Sequence, residues 1–88
     1  KTNTHLIDSI NLAYYVLKKG GSYPLIFYTA NDVAVSYFLK EKIHFLDILK
    51  IIKKILSKSE NYKINTIDDI YSIDKEIKIL TSEYIMNR

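Results

Sequence analysis

Apolar residues recur every three or four positions along most of the chain, and this spacing predicts helices. The first helix is expected from about residue 5 to residue 19, with Thr4 as its N-cap. Its predicted apolar stripe consists of Leu6, Ile10, Ala13 and Leu17, and Ile7, Tyr14 and Val16 widen it. Gly20 and Gly21 follow, and because glycine readily adopts positive φ, this pair is expected to end the helix.

The second predicted helix is apolar on nearly all sides, which is typical of a helix buried by its neighbours. Pro24 suits its first position, because the missing backbone donor is not needed there, and Ser22 or Tyr23 would precede it as the cap. The helix is expected to end near Lys40. The β-branched content of Leu25–Phe27 leaves a short strand there as the alternative.

The third predicted helix is the most clearly amphipathic and runs from Leu46–Asp47 to about Ser57–Ser59. Its apolar side consists of Ile48, Leu49, Ile51, Ile52, Ile55 and Leu56. Its opposite side carries Lys50, Lys53, Lys54 and Lys58. Such a division predicts one face against a core and the other in water.

A fourth helix is predicted from a near capping box, in which Thr66 is followed three residues later by Asp69, and it should run to about Ile85. Its predicted apolar stripe consists of Ile67, Ile70, Ile73, Ile77, Leu80 and Tyr84. Since only the second helix is apolar all round, we expect the other three to cover it. The predicted fold is all-α, a small four-helix bundle-like domain comprising residues 1–88.

Composition excludes several classes of function. The chain has no cysteine, which excludes disulfides and thiolate metal sites. A net charge of +3 with a single arginine, Arg88, does not favour sequence-specific nucleic-acid binding. The longest apolar stretch, Tyr23–Leu39, is interrupted by polar residues and does not fit a membrane span. We therefore expect neither nucleic acid nor membrane as a partner.

Candidate groups for catalysis or metal binding are few. His44 and Asp47 are three residues apart and could share a metal, although a capping or exposed role is favoured, and His5 has no ligand at helical spacing. Asp68 and Asp69 are adjacent, so their side chains point in different directions and suit a helix start rather than acid–base catalysis. We assign no catalytic, cofactor-binding or metal-binding residue.

For three further features we favour a structural explanation over a functional one. Gly20–Gly21 lacks the preceding strand and the spacing of a phosphate-binding loop. The lysines of the third helix could attract nucleic acid or an acidic membrane, but they fit an ordinary solvated face. A base-stacking platform could be built from Tyr14, Tyr15, Tyr23, Tyr28 and Tyr37, but the residue bias of an A+T-rich coding sequence and core packing explain these residues better.

Asn31 and Asp32 are two adjacent polar residues inside the most apolar helix. Burying either group costs a few kcal/mol, roughly, unless it is hydrogen-bonded. Either they lie on a narrow solvent-facing strip near Ser36, or they bind a neighbouring segment. In the second case they form a candidate interdomain contact.

A longer ordered set of residues surrounds this pair. It comprises Leu12–Ala13, Lys19–Gly21, Pro24, Thr29–Val35, Phe38–Leu39, Ile43, Phe45, Asp47–Ile48, Ile67–Ile70 and Ile73–Asp74. In this order and spacing, the set resembles the C-terminal domain of the 1-deoxy-D-xylulose 5-phosphate reductoisomerases over nearly the whole chain. Tyr28, Thr29 and Asp32 stand where the family pattern has Asn, Ala and Glu.

The resemblance implies a role within a larger enzyme. Such an enzyme converts 1-deoxy-D-xylulose 5-phosphate to 2-C-methyl-D-erythritol 4-phosphate in non-mevalonate isoprenoid biosynthesis. It uses NADPH and a divalent metal, Mg²⁺ or Mn²⁺, works as a homodimer, and is found in bacterial cytoplasm or a plastid-type organelle. Its catalytic and NADPH-binding groups lie N-terminal to this domain, so the resemblance implies a helical support for the catalytic domain of the same enzyme, inactive alone.

An independent helical interaction module, using the basic lysine face, is the alternative function. A small stand-alone enzyme has no supporting group of residues.

Overall fold

The computed structural model describes residues 4–87. In this part of the chain there are four helices and no strand. The helices are α1 (Thr4–Lys19), α2 (Tyr23–Leu39), α3 (Phe45–Lys58) and α4 (Ile67–Met86). The all-α prediction is confirmed, and the strand alternative is wrong because residues 25–27 lie within α2. None of these helices is long and apolar enough to cross a membrane.

Helix α2 lies at the centre of the fold and packs against each of the other three helices. Ile26, Ala30 and Ala34 recur every four residues along one of its sides and are almost completely buried. The two alanines are small, so neighbouring helices can approach the backbone of α2 closely. The predicted central position of the second helix is confirmed.

Helix α3 is amphipathic, as its sequence predicts. All six predicted apolar residues are buried, and Ile51 and Ile55 are the most completely buried of them, at 1% and 0% exposure. Lys50, Lys53 and Lys54 are exposed on the other side. Removing a large apolar side chain from water contributes about 1.5–3 kcal/mol, so this face accounts for much of the stability.

The predicted apolar stripe of α1 is wrong. Ile10 and Leu17 are 46% and 66% exposed, whereas Val16 is 2% exposed and Leu12 packs against the core. Val16, which the prediction placed at the edge of the stripe, shares the buried face with Leu12 four residues away, whereas Ile10 and Leu17 at the centre of the stripe are exposed. The side chain of Leu6 lies outside the described residues.

The two glycines end α1 as predicted. Both have positive φ, 66° at Gly20 and 60° at Gly21, and the N–H of Gly20 donates to the carbonyl of Val16 at 3.0 Å. Tyr23 opens α2 and Pro24 is its second residue rather than its first. Thr4 lies inside α1 rather than before it.

Ser22 joins the turn between α1 and α2 to the loop between α3 and α4. Its hydroxyl accepts the N–H of Tyr62 at 2.8 Å, and its own N–H donates to Oδ1 of Asn61 at 2.9 Å. Ser22 is fully buried and its side chain makes no capping bond to α2. The hydroxyl that could have capped a helix therefore holds together two segments about 40 residues apart.

The predicted cap of α4 is confirmed. The hydroxyl of Thr66 accepts the N–H of Asp69 at 3.1 Å, and Oδ2 of Asp69 accepts the N–H of Thr66 at 3.1 Å. The backbone N–H groups of Asn65 and then Thr66 hold the pKa of the Asp69 carboxyl below its usual value. A carboxylate at this end of the helix is also favoured by the helix dipole.

The predicted stripe of α4 is only partly buried. Ile73 and Ile77 are buried, but Ile67 and Ile70 are 68% and 39% exposed. At 100° per residue, Ile70 lies within about 20° of Ile77 around the helix, so the first turn is not rotated away from the core.

Thr81 is the one described residue with a buried side-chain polar atom that has no hydrogen-bond partner. Replacing it by valine, which has the same shape, is expected to raise the free energy of unfolding by about 1 kcal/mol, because an unsatisfied hydroxyl is removed from the interior. Urea denaturation of both proteins measures this difference. Thr81→Ser is the control, since it keeps the hydroxyl and loses a methyl group, and it should destabilise the domain. A loss of stability in Thr81→Val would show that the hydroxyl is bonded.

Candidate functional site

Asn31 lies in a cleft of about 200 Å³ where α1, α2 and α3 meet. Phe27 and Val35 line it from α2, and Ile48 and Ile52 line it from α3. The Asn31 side chain is half-buried in these mainly apolar surroundings. Ser9 of α1 is the other polar residue of the lining, and an amide in such a place requires an explanation.

No hydrogen bond to the Asn31 side chain is formed by the described part of the chain. The amide therefore does not clamp α2 to a neighbouring segment of this domain. Its two donors and its carbonyl oxygen remain available to water or to a partner.

Asp32 faces away from that cleft. Successive residues of a helix are rotated by about 100°, and Asp32 is exposed together with Ser36 on the solvent-facing strip that the sequence predicts. Its negative charge contributes, after the stronger effects of Asp74, to raising the pKa of Lys78 in α4. The two candidate residues thus lie on different sides of α2 and could contact a common partner only if it reaches both sides.

A polar connection between α2 and α4 was not predicted from the sequence. Oγ1 of the buried Thr29 donates to Oδ1 of Asp74 at 2.8 Å, and Nζ of Lys78 lies 2.9 Å from Oδ2 of the same carboxylate. The hydrogen bond from Lys78 and then that from Thr29 lower the pKa of Asp74. Thr29 stands at a position where the family pattern has alanine, and that departure was the only signal in the sequence.

The lowered pKa of Asp74 predicts a dependence of stability on pH. Because the pKa is lower in the folded state, the carboxylate stabilises the fold above its unfolded pKa of about 3.9. This contribution is lost as the pH falls through the folded pKa. Asp74→Asn should therefore lose less free energy of unfolding between neutral pH and about pH 3 than the unchanged domain. Denaturation of both proteins at a series of pH values measures this difference in the free energy of unfolding.

The control for that series is Asp68→Asn, which removes an exposed carboxylate of the same helix. This variant should keep most of the acid-induced loss. Identical pH profiles for Asp74→Asn and the unchanged domain would contradict the role of Asp74.

His44 and Asp47 form a helix cap. The N–H of His44 donates to Oδ2 of Asp47 at 3.0 Å, immediately before α3. The capping interpretation is therefore the right one for this pair. The side chain of His5 lies outside the described residues.

The described residues do not fit a metal or a dinucleotide. Nowhere between residues 4 and 87 do three or more His, Cys, Asp or Glu side chains lie close enough to hold a metal ion. Gly20–Gly21 connects two helices rather than a strand and a helix, so it is not the turn that binds a pyrophosphate. We derive no catalytic step through either group.

The tyrosines are divided between two environments. Tyr23 and Tyr37 pack against the core, as predicted. Tyr14 and Tyr28 are 70% and 66% exposed, so core packing is the wrong explanation for them. The ring centroids of Tyr15 and Tyr23 are 6.2 Å apart and the ring planes are inclined by 42°, so the two rings do not form a flat stacking surface.

Comparison with known proteins identifies the family. The family model described as "DXP reductoisomerase C-terminal domain" matches residues 3–80. The 1-deoxy-D-xylulose 5-phosphate reductoisomerase of Sulfurihydrogenibium sp. (strain YO3AOP1) is 44% identical over 82 residues, which are 92% of this chain and 22% of that protein. The same enzyme of Thermoanaerobacter pseudethanolicus is 42% identical over 78 residues, covering 89% of this chain and 20% of the relative.

A solved structure agrees with the sequence matches. It is that of 1-deoxy-D-xylulose 5-phosphate reductoisomerase from Zymomonas mobilis in complex with NADPH, with a TM-score of 0.87 and 33% sequence identity. The match covers 92% of this chain and 21% of that chain. The chain thus spans about a fifth of the length of these relatives. It belongs to the DXP reductoisomerase C-terminal domain family.

Proposed function

We propose that this chain is the C-terminal structural domain of a 1-deoxy-D-xylulose 5-phosphate reductoisomerase, that it supports the catalytic domain, and that it is inactive alone. The observation that carries the proposal is the match of 92% of this chain to about a fifth of a reductoisomerase solved in complex with NADPH, at a TM-score of 0.87. Among the described residues, no group of three or more His, Cys, Asp or Glu side chains could hold a metal ion, which favours a structural over a catalytic role.

By this proposal, the remaining four fifths of the enzyme carry the chemistry. That part would bind NADPH, the divalent metal and 1-deoxy-D-xylulose 5-phosphate, and would yield 2-C-methyl-D-erythritol 4-phosphate for isoprenoid biosynthesis. The homodimer and a location in bacterial cytoplasm or a plastid-type organelle belong to the same proposal. The contribution of the present chain is to hold the catalytic domain in its working conformation.

The isolated chain tests the claim of inactivity. It is incubated with 1-deoxy-D-xylulose 5-phosphate, NADPH and Mg²⁺ or Mn²⁺, and the absorbance of NADPH is followed. We expect no oxidation above a blank without protein. Substrate-dependent turnover by the 88 residues would contradict the proposal.

A hybrid enzyme tests the supporting role of Asn31. The hybrid enzyme is the Zymomonas mobilis reductoisomerase in which the matched segment is replaced by this chain. If the Asn31 amide binds the catalytic domain, Asn31→Ala should lower kcat/KM of the hybrid enzyme roughly three- to tenfold, as expected for one lost hydrogen bond. In the isolated domain the same change should alter the free energy of unfolding by less than about 0.5 kcal/mol, because no bond within the domain is lost.

The same experiment examines Asp32. Asp32→Ala in the hybrid enzyme is compared with Ser36→Ala, which changes another exposed polar residue of α2. A loss of activity confined to Asn31→Ala and Asp32→Ala supports an interdomain contact. Full activity in both would show that neither residue contacts the catalytic domain.

The alternative function rests on the lysines of α3. Lys50, Lys53 and Lys54 are exposed on the side opposite the buried isoleucines, whereas Lys58 lies over the ring of Tyr84 at 5.4 Å. A salt titration of binding to a generic DNA duplex separates the two functions. Affinity that falls steeply with salt favours an interaction module, and absence of binding favours the supporting domain.

A further inference from the structure

Helix α1 has a second apolar face that residues 4–87 leave exposed. Ile7, Ile10, Tyr14 and Leu17 recur at spacings of three and four and are 53%, 46%, 70% and 66% exposed. We call these four residues the outer face of α1. The core-facing side of the same helix carries Leu12 and Val16 instead.

The outer face is continuous. On a helical projection its four residues occupy one sector of about 80°, and the charged residues Asp8, Lys18 and Lys19 all fall outside that sector. A solvated helix would place polar residues opposite its core-facing side. A second continuous apolar sector is typical of a helix that packs against something else as well.

The area of the outer face limits what can occupy it. Even if each side chain offered 250 Å² when fully exposed, the upper end for aromatic residues, the exposed fractions leave at most about 590 Å². A stable dimer buries about 800 Å² on each partner, so a second copy of this chain would be held weakly. A segment of the same polypeptide needs less area, because its effective concentration reaches the millimolar range.

We infer that the outer face of α1 docks against the reductoisomerase polypeptide that precedes this domain, an inference that rests on the proposed function. The relatives are about five times as long as this chain, and the domain is the C-terminal one in its family. The additional polypeptide therefore precedes α1, which is the first helix of the domain. In addition, α1 packs chiefly on α2 among the described helices, which leaves its other side accessible.

The hybrid enzyme tests this surface with two matched double variants. Ile10→Glu with Leu17→Glu changes the outer face at positions 46% and 66% exposed. The control, Ile79→Glu with Met86→Glu, changes α4 at positions 51% and 71% exposed. In the isolated domain, neither pair should shift the Tm by more than a few degrees, roughly, because all four positions are substantially exposed to solvent.

In the hybrid enzyme the two pairs should differ. We expect the outer-face variant to lower kcat/KM at least tenfold, roughly, and the control to stay within about twofold of the unchanged hybrid enzyme. Hydrogen exchange supplies a readout independent of activity. The amides of α1 should exchange more slowly in the hybrid enzyme than in the isolated domain, and the outer-face variant should remove that protection.

Each outcome decides something different. An active hybrid enzyme that tolerates the outer-face variant, with no added protection of α1, overturns this inference and leaves the proposed function intact. An inactive unchanged hybrid enzyme, despite a folded domain, contradicts the proposed function itself. A dimer of the isolated chain that the outer-face variant dissociates would assign the face to a second copy and also overturn the inference.

Discussion

Gly21→Ala is expected to lower the free energy of unfolding by about 2–5 kcal/mol, whereas Gly20→Ala should lower it by only about 1–2 kcal/mol. Both glycines have positive φ, so alanine is strained at either position. At Gly20 an added methyl group would meet nothing within 4 Å. At Gly21 it would lie 2.8 Å from the carbonyl oxygen of Tyr62 and would also collide with Oδ1 of Asn61.

The additional cost at Gly21 arises because the added methyl group would meet the backbone carbonyl of Tyr62, which cannot rotate away as a side chain can. The loop between α3 and α4 would have to move, and the bonds that Ser22 makes to it would weaken. Urea denaturation of the two variants and the unchanged domain measures the difference. Equal losses in the two variants would show that the loop does not pass so close to Gly21.

Ile55→Ala is expected to be the most destabilising of the simple core truncations, at about 2–5 kcal/mol. Ile55 is fully buried, and the cavity left by its removal lies on the face of α3 that packs into the core. A domain of this size has a total stability of about 4–13 kcal/mol, so the variant should be strongly destabilised at room temperature.

Ile10→Ala is the control for that truncation. The apolar pattern of α1 predicts Ile10 in the core, but it is 46% exposed. Its truncation in the isolated domain should cost less than about 1 kcal/mol. A loss at Ile10 as large as that at Ile55 would mean that the predicted stripe of α1 is the buried one after all.

The parts of the fold that depend on local sequence could be predicted. The division of α3 into an apolar and a lysine side, the Thr66–Asp69 cap and the glycine stop of α1 each require residues only a few positions apart. The end of α2 is the exception. Glu41 has a φ of 62°, a conformation usually taken by glycine, and nothing in its side chain predicts it.

The orientation of α1 could not be predicted because its sequence contains two apolar faces. Both the sector of Leu12 and Val16 and that of Ile10 and Leu17 have helical spacing, and periodicity does not rank one above the other. If the outer face docks on a preceding domain, both faces are buried in the complete enzyme. The ambiguity of the pattern would then reflect the two partners of the helix.

Contacts between distant segments were also beyond prediction. Ser22 and Asn61 are 39 residues apart and Thr29 and Asp74 are 45 apart, so no spacing rule connects them. The sequence singled out the candidate pair on α2 but did not predict that its two side chains lie on different sides of the helix. Asn31 lies in the cleft towards α1 and α3, whereas Asp32 lies on the exposed strip near Lys78.

Deletion of the matched C-terminal segment from the Zymomonas mobilis reductoisomerase tests the central claim most directly. The rate of substrate-dependent NADPH oxidation is compared for the truncated enzyme and for the hybrid enzyme in which this chain restores the segment. We predict little or no activity in the first and substantial activity in the second, because the chain supports the catalytic domain without contributing a catalytic group. A truncated enzyme as active as the hybrid enzyme would contradict that claim.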